Sequence, residues 1–336
     1  MAAMKNLFAS CAFALAIGAA IALAVSATHA QLPAAKALAA SQLVILDTDI
    51  GDDIDDTFAL ALALRSPELH ILGVTTTFGD TELRARLVDR YLAAVGRSDI
   101  PVAAGPVTPA KNVFTQAAYA HRAPDKKHPD AVEFLFRQIR AHPGQITLIA
   151  IGPLTNVEAA FKRDPATFRK LKRVVIMGGS VYRGYGGTPA APRPAEPEWN
   201  ILCDPAGAKA LLASGVPVFM MPLDSTQIHL DAAEREALFA HGSPLTDQLT
   251  LLYHQWVAHT DNHAADPTLF DPVAVTYTFR PDLCPAKPMR LEVEDNGLTK
   301  PVDGSPNAQV CLQSDEKGFL DLLEKRVAGE TRAYRR

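Results

Sequence analysis

Basic charge is in short supply: 33 lysines and arginines stand against 37 aspartates and glutamates, a formal net charge of −4. Such a chain offers no basic face to nucleic acid or anionic lipid, so a small-molecule partner is expected. Cysteine is scarce too, four in 336 residues, and no Cys/His spacing reads as a zinc site. Beyond residue 25 no apolar run is long enough to span a bilayer. No internal repeat is visible, and no linker divides two cores, which predicts one domain.

The N-terminus reads as a targeting segment. Lys5 precedes an apolar stretch over 7–25, then small residues and Ala27-Thr28-His29-Ala30. That layout predicts a secretory signal over 1–30 cleaved after Ala30 or nearby, with an uncleaved anchor as the alternative. Residues 31–336 are then an exported domain, periplasmic or secreted, with no stable membrane contact after cleavage. Cys11 leaves with the signal. Cys284 and Cys311 flank two predicted C-terminal strands and either form a disulfide, which an oxidising compartment permits, or stay as thiols beside Cys203.

What is abundant is acid in one place. Leu43, Val44, Ile45 and Leu46 read as a buried strand, and six aspartates follow within ten positions: Asp47, Asp49, Asp52, Asp53, Asp55 and Asp56. Asp55 or Asp56 at a helix start and the rest in a solvated loop is the plain alternative. So many carboxylates at one strand end repel unless a cation sits among them, and oxygen ligands favour Ca²⁺ or Mg²⁺. An EF-hand is excluded, because its glycine and terminal glutamate are missing at the required offsets.

Strand patterns at 71–77, 146–151, 174–177, 216–221, 289–294 and 308–313 alternate with helical ones at 55–64, 82–95, 130–141, 231–242, 243–260 and 316–327. Leu83, Leu87, Val88, Tyr91 and Leu92 form the apolar stripe of the second helix. Proline- and glycine-rich loops cover 105–129 and 180–197. This alternation predicts an α/β fold: a single domain with a mainly parallel, doubly wound sheet flanked by helices. Strand ends in such a sheet share one rim, where ligands bind. Asp47/Asp49, Asp80, Thr155/Asn156 and Gly178-Gly179 all follow strands. Asp80, Thr155 and Asp271 each also suit a helix start.

The motifs DTDIGDDIDDTFALAL, GPLTN, VVIMGGS, EWNILCDP and FDPVAV, in this order from about residue 43 to 327, resemble those of nucleoside hydrolases. The resemblance implies calcium-dependent cleavage of the N-glycosidic bond of ribonucleosides. It implies Asp49 as calcium ligand and general base, and Asp56, Asp271 and the Thr155 backbone carbonyl as further ligands. Asp55, Asp80, Met177, Glu198 and Asn200 fall at sugar-contacting positions. Relative to the family this chain carries a two-residue insertion after Gly51; an ungapped match would make Ile54 a ligand, so the gapped register is preferred. Phe270 replaces a histidine that protonates the leaving base in some members, leaving His254, His259, His263, Tyr253 and Trp256 as candidates. A homo-oligomer is compatible with the sequence.

Two other functions fit parts of the pattern. Asp47 and Asp49 form a DxD pair like that of haloacid-dehalogenase-like phosphatases, although Gly51 and the missing phosphate-binding lysine motif count against it. A calcium-dependent nucleoside or ribose binder with weak catalysis is the other.

Overall fold

The acidic stretch lies at the centre of the sheet. In the computed structural model, which describes residues 41–188, 190–260 and 266–329, one sheet is built from β1 (Gln42–Thr48), β2 (Leu69–Thr76), β3 (Val102–Ala104), β4 (Thr147–Ala150), β5 (Arg173–Met177), β6 (Val218–Met221), β7 (Ala286–Met289) and β8 (Ala308–Cys311). Their spatial order is β3-β2-β1-β4-β5-β6-β8-β7. β7 runs antiparallel to β8 at one edge, and every other pairing is parallel. The sheet is mainly parallel, with helices on both faces, as the alternation predicts.

β1 shows why the apolar runs become central strands. Val44 and Leu46 join the core on one face and Ile45 the core on the other, so no residue in the run has a solvent side. Asp47 pairs in register with Thr75 of β2 and Ala150 of β4. The order 3-2-1-4-5 reverses direction between β1 and β4, and the strand ends there open a crevice.

Helices α1 (Asp55–Leu64), α2 (Thr81–Ala94), α3 (Thr155–Arg163) and α4 (Phe270–Phe279) start at or beside this rim. α1 and α4 pack together and are buried nearly throughout, and each carries aspartate in its first turn, where the helix dipole favours negative charge.

Several details differ from the sequence reading. The strand expected over 289–294 splits at Arg290: β7 ends at Met289, and Leu291–Val293 pairs with Thr299–Pro301 in a separate hairpin. The 180–197 tract holds a two-residue-per-strand hairpin, and Trp199–Cys203 forms a short helix. On α2 the inward position belongs to Arg84, while Leu83 is only half-buried. Cys284 and Cys311 form a disulfide at the β7–β8 edge, and Cys203 is a free thiol. Among the described residues no helix is long and apolar enough to cross a membrane. The segment read as a signal lies outside the described residues.

Candidate active site

One pocket of about 130 Å³ opens at the β1/β4 reversal, room for several waters rather than one. Asp49, Asp52, Asp53, Asp55, Asp56, Glu198 and Asp271 all line it. Asp55 and Asp56 come from the first turn of α1 and Asp271 from that of α4. Each of these three offers a carboxylate oxygen within 4.8 Å of the others, and all are buried. Two like charges at that distance repel by roughly 3 kcal/mol at an effective dielectric of about 20. Among the described residues no basic side chain hydrogen-bonds any of the three. Asp56 accepts from the Thr48 hydroxyl, and Asp55 accepts from the Asp271 backbone N–H at 3.3 Å. Burial first, then mutual repulsion, pushes the proton affinity of all three well above the ordinary carboxylate range.

Asp49 sits just past β1. Burial pushes its pKa up to about 7, against the pull of the nearby Arg84 guanidinium. Its carboxylate lies against Gly152 after β4, where an added Cβ would stand 2.6 Å from Oδ1 and 2.9 Å from the Asp49 backbone nitrogen. Glycine is required there by close approach. Gly152→Ala is expected to displace the Asp49 carboxylate and destabilise the fold by about 1–3 kcal/mol, the usual cost of overpacking. A melting curve checks this; a variant that melts like the parent would show that the seat of Asp49 does not depend on the contact.

The far wall is built by the chain after β5. Glu198 caps the short helix, accepting from the N–H groups of Gly179, Asn200 and Ile201 at 2.8, 2.9 and 3.2 Å, and burial still holds it at about 7. The Asn200 amide donates to the carbonyls of Met177 (3.1 Å) and Ile151 (3.3 Å), tying the ends of β4 and β5 together. Tyr185, Trp199 and Phe270 complete an aromatic wall, with Tyr185 and Phe270 edge to face at 6.1 Å.

Residues 44–321 match the model of the family described as inosine-uridine preferring nucleoside hydrolase. The chain belongs to that family. A pyrimidine-specific ribonucleoside hydrolase RihA of Citrobacter koseri is 33% identical over 315 residues, covering 85% of this chain and 97% of that protein. A solved plant nucleoside hydrolase shares the fold with a TM-score of 0.75 at 26% identity, over 86% of this chain and 99% of that one. A purine-preferring ribonucleoside hydrolase from Gardnerella vaginalis gives 0.72 at 27% identity, over 86% and 98%.

In this nucleoside hydrolase the structure brings Asp49, Asp55, Asp56, Asp271, Met177, Glu198 and Asn200 to one pocket. Two expected site residues lie elsewhere. Asp80 is exposed and caps α2, accepting from the Leu83 N–H at 3.0 Å. Phe78 and Gly79, both in the left-handed region with φ of 60° and 66°, swing the chain out of the rim before it reaches residue 80. Thr155 is not on the pocket wall: it opens α3, so its carbonyl points along that helix, and its hydroxyl meets Thr77 at 2.6 Å. Ile151, immediately after β4, lines the pocket in its place.

The dehalogenase-like pairing is not supported. Asp47 is fully buried, does not line the pocket and is held by Thr75 (2.5 Å) and Asn156 (2.7 Å), so no substrate reaches it. Of the leaving-group candidates, Tyr253 is packed in the core against Phe239 and Trp256, and His254 and His259 are exposed. Trp256 hydrogen-bonds Asp53, and His263 lies outside the described residues. Not expected from the sequence were Ile151, Asn112, Tyr185 and Trp199, which line the pocket, and Arg84, which bonds the acidic loop from behind. Only Arg84 carried a usable signal: it falls at i, i+3, i+4 and i+7 with Leu87, Val88 and Tyr91 on α2.

Proposed function

We propose that this pocket hydrolyses the N-glycosidic bond of ribonucleosides to free base and ribose, with Asp49 as general base beside a calcium ion. The observation that carries this reading is the buried trio Asp55, Asp56 and Asp271, bonded to no basic side chain among the described residues. The pocket's donors are oxygens, and no histidine or cysteine among the described residues lines it, which suits a hard cation with a flexible, oxygen-rich shell. Asp49, Asp56 and Asp271 would hold the ion, with a backbone carbonyl better sought at Ile151 than at Thr155. When bound, calcium would polarise a water and grip the vicinal hydroxyls of the sugar.

The chain's own groups supply the rest. Asp49, a carboxylate on the pocket wall beside the other acids, would accept the proton from the attacking water. Asp55, Glu198 and Asn200, all on the pocket wall, would orient the ribose hydroxyls, and the surrounding carboxylates would oppose the positive charge that develops at C1′. Tyr185, Trp199 and Phe270 offer ring surface to the base. The departing base must gain a proton, either from solvent or from the Tyr185 hydroxyl, which accepts from the Trp199 N–H at 2.9 Å and keeps its own hydrogen to donate. Export to an oxidising compartment is supported by the Cys284–Cys311 disulfide.

The test is a panel of purine and pyrimidine ribonucleosides assayed for free ribose, with and without a chelator. Release of base and ribose, lost with chelator and restored by calcium, is expected. Tight nucleoside binding with no ribose formed would replace this reading with that of a binder.

A further inference from the structure

Residues 49–53 have left β1 and have not yet entered α1, so neither a sheet ladder nor a helix satisfies their carbonyls. Side chains do this instead: Thr115 and Gln116 serve the carbonyls of Gly51, Asp52 and Asp53, and an arginine serves the two before them. Arg84, from the first turns of α2 and with only 3% of its side chain exposed, reaches into the back of the acidic loop. Its Nη1 donates to the Asp49 and Ile50 carbonyls, the latter at 3.1 Å. Both Nη groups also donate to the Asp52 carboxylate, at 3.0 and 2.8 Å. Nε donates to the Phe78 carbonyl at 2.8 Å.

That last contact links two parts of the site. Phe78 is the only non-glycine residue with positive φ among the described residues, a conformation that persists only where surroundings enforce it. Its ring packs edge-on against Trp199 at 6.5 Å, and Trp199 lines the pocket. One guanidinium therefore braces both the acidic loop and the aromatic wall.

We propose that Arg84 is a positioning residue for the hydrolysis: oriented by Asp52, it fixes the backbone at Asp49 and Ile50 so that the Asp49 carboxylate stays seated against Gly152. This gives Asp52, part of the two-residue insertion, its function as the anion that holds the fork in place. A lysine keeps the charge but presents a single ammonium, which cannot serve Phe78, Asp49, Ile50 and Asp52 together. The inference rests on the reading of Asp49 as the base.

The test compares Arg84→Lys, Asp52→Asn and Asp49→Asn in the calcium-loaded enzyme, using uridine and inosine. Arg84→Lys is expected to lower kcat about 10–100-fold with KM within about threefold, and to weaken calcium binding by calorimetry about tenfold. In Arg84→Ala, millimolar guanidinium is expected to restore part of the lost kcat. A purely structural arginine would instead lower the melting temperature and leave kcat per folded molecule intact. Native kcat and native calcium affinity in folded Arg84→Lys would overturn the proposal. Should the Arg84 variants not fold, Asp52→Asn decides, because it keeps the backbone contacts while freeing the fork; about tenfold lower kcat is expected, and native kcat would overturn the proposal. Asp49→Asn separates the two levels: if it stays active, the reading of the base fails, whereas an inactive Asp49→Asn beside an unimpaired Arg84→Lys removes only the positioning role.

Discussion

Replacing Asp49 by asparagine is expected to lower kcat for ribonucleosides by about 10²–10⁴-fold, the range a positioned general base supplies. The exchange is nearly isosteric, so the seat against Gly152 and the Arg84 bonds to the backbone at 49 and 50 persist. What disappears is the group able to take a proton. Removing a buried charge from among Asp55, Asp56 and Glu198 also relieves repulsion, so the metal-free variant should melt no lower than the parent. Loss of turnover with equal or greater thermal stability is a combination that a folding defect does not produce. The measurement is kcat beside a melting curve and calcium calorimetry, and a variant that keeps most of its turnover would remove Asp49 from the chemistry.

The second large effect concerns pH. Asp47 at about 6, Asp49 and Glu198 at about 7, and Asp55, Asp56 and Asp271 well above their usual range are all raised by burial. Unfolded, these carboxyls titrate near 4. Between about pH 4 and 7 the folded metal-free chain therefore holds protons that the unfolded chain has released, and its stability falls as pH rises. A single carboxyl held near 7 rather than near 4 amounts to about 4 kcal/mol across that window. A bound divalent cation would supply the missing positive charge, and at about 100 times its dissociation constant it would add roughly 2.7 kcal/mol. The metal-free protein should lose melting temperature steadily from pH 5 to pH 8, and calcium should recover part of that loss at the alkaline end. Matching profiles with and without calcium would show that no cation serves these acids.

Much of this was legible before the coordinates. The run Val44–Ile45–Leu46 has no polar position, so it had to be covered on both faces, and the alternation of such runs with helices fixed the sheet type. The density of acid after β1 announced a charged rim. What resisted were facts set by three-dimensional return. From the residue pattern alone Asp271 looks like any helix start, and only the family resemblance joins it to Asp55 across 216 positions. Ile151 reaches the pocket only by its place after β4, which its apolar side chain does not advertise, whereas Thr155 carries a polar group and faces Thr77 instead. Asp80 was misplaced because a left-handed phenylalanine leaves no mark in a residue pattern. Arg84 was hidden by its charge, which reads as surface until its spacing with Leu87, Val88 and Tyr91 is weighed.

Part of the pocket wall comes from a different part of the chain than the carboxylates do. Asp49, Asp55, Asp56 and Asp271 ride on strand ends and helix starts locked into the central sheet, whereas Tyr185 belongs to the proline-rich 180–197 tract and Asn112 to the long 105–129 connection. Connections of this kind tolerate insertion and exchange better than strand ends do, so the mouth of the pocket can be recut while the sheet that carries the acids keeps its shape.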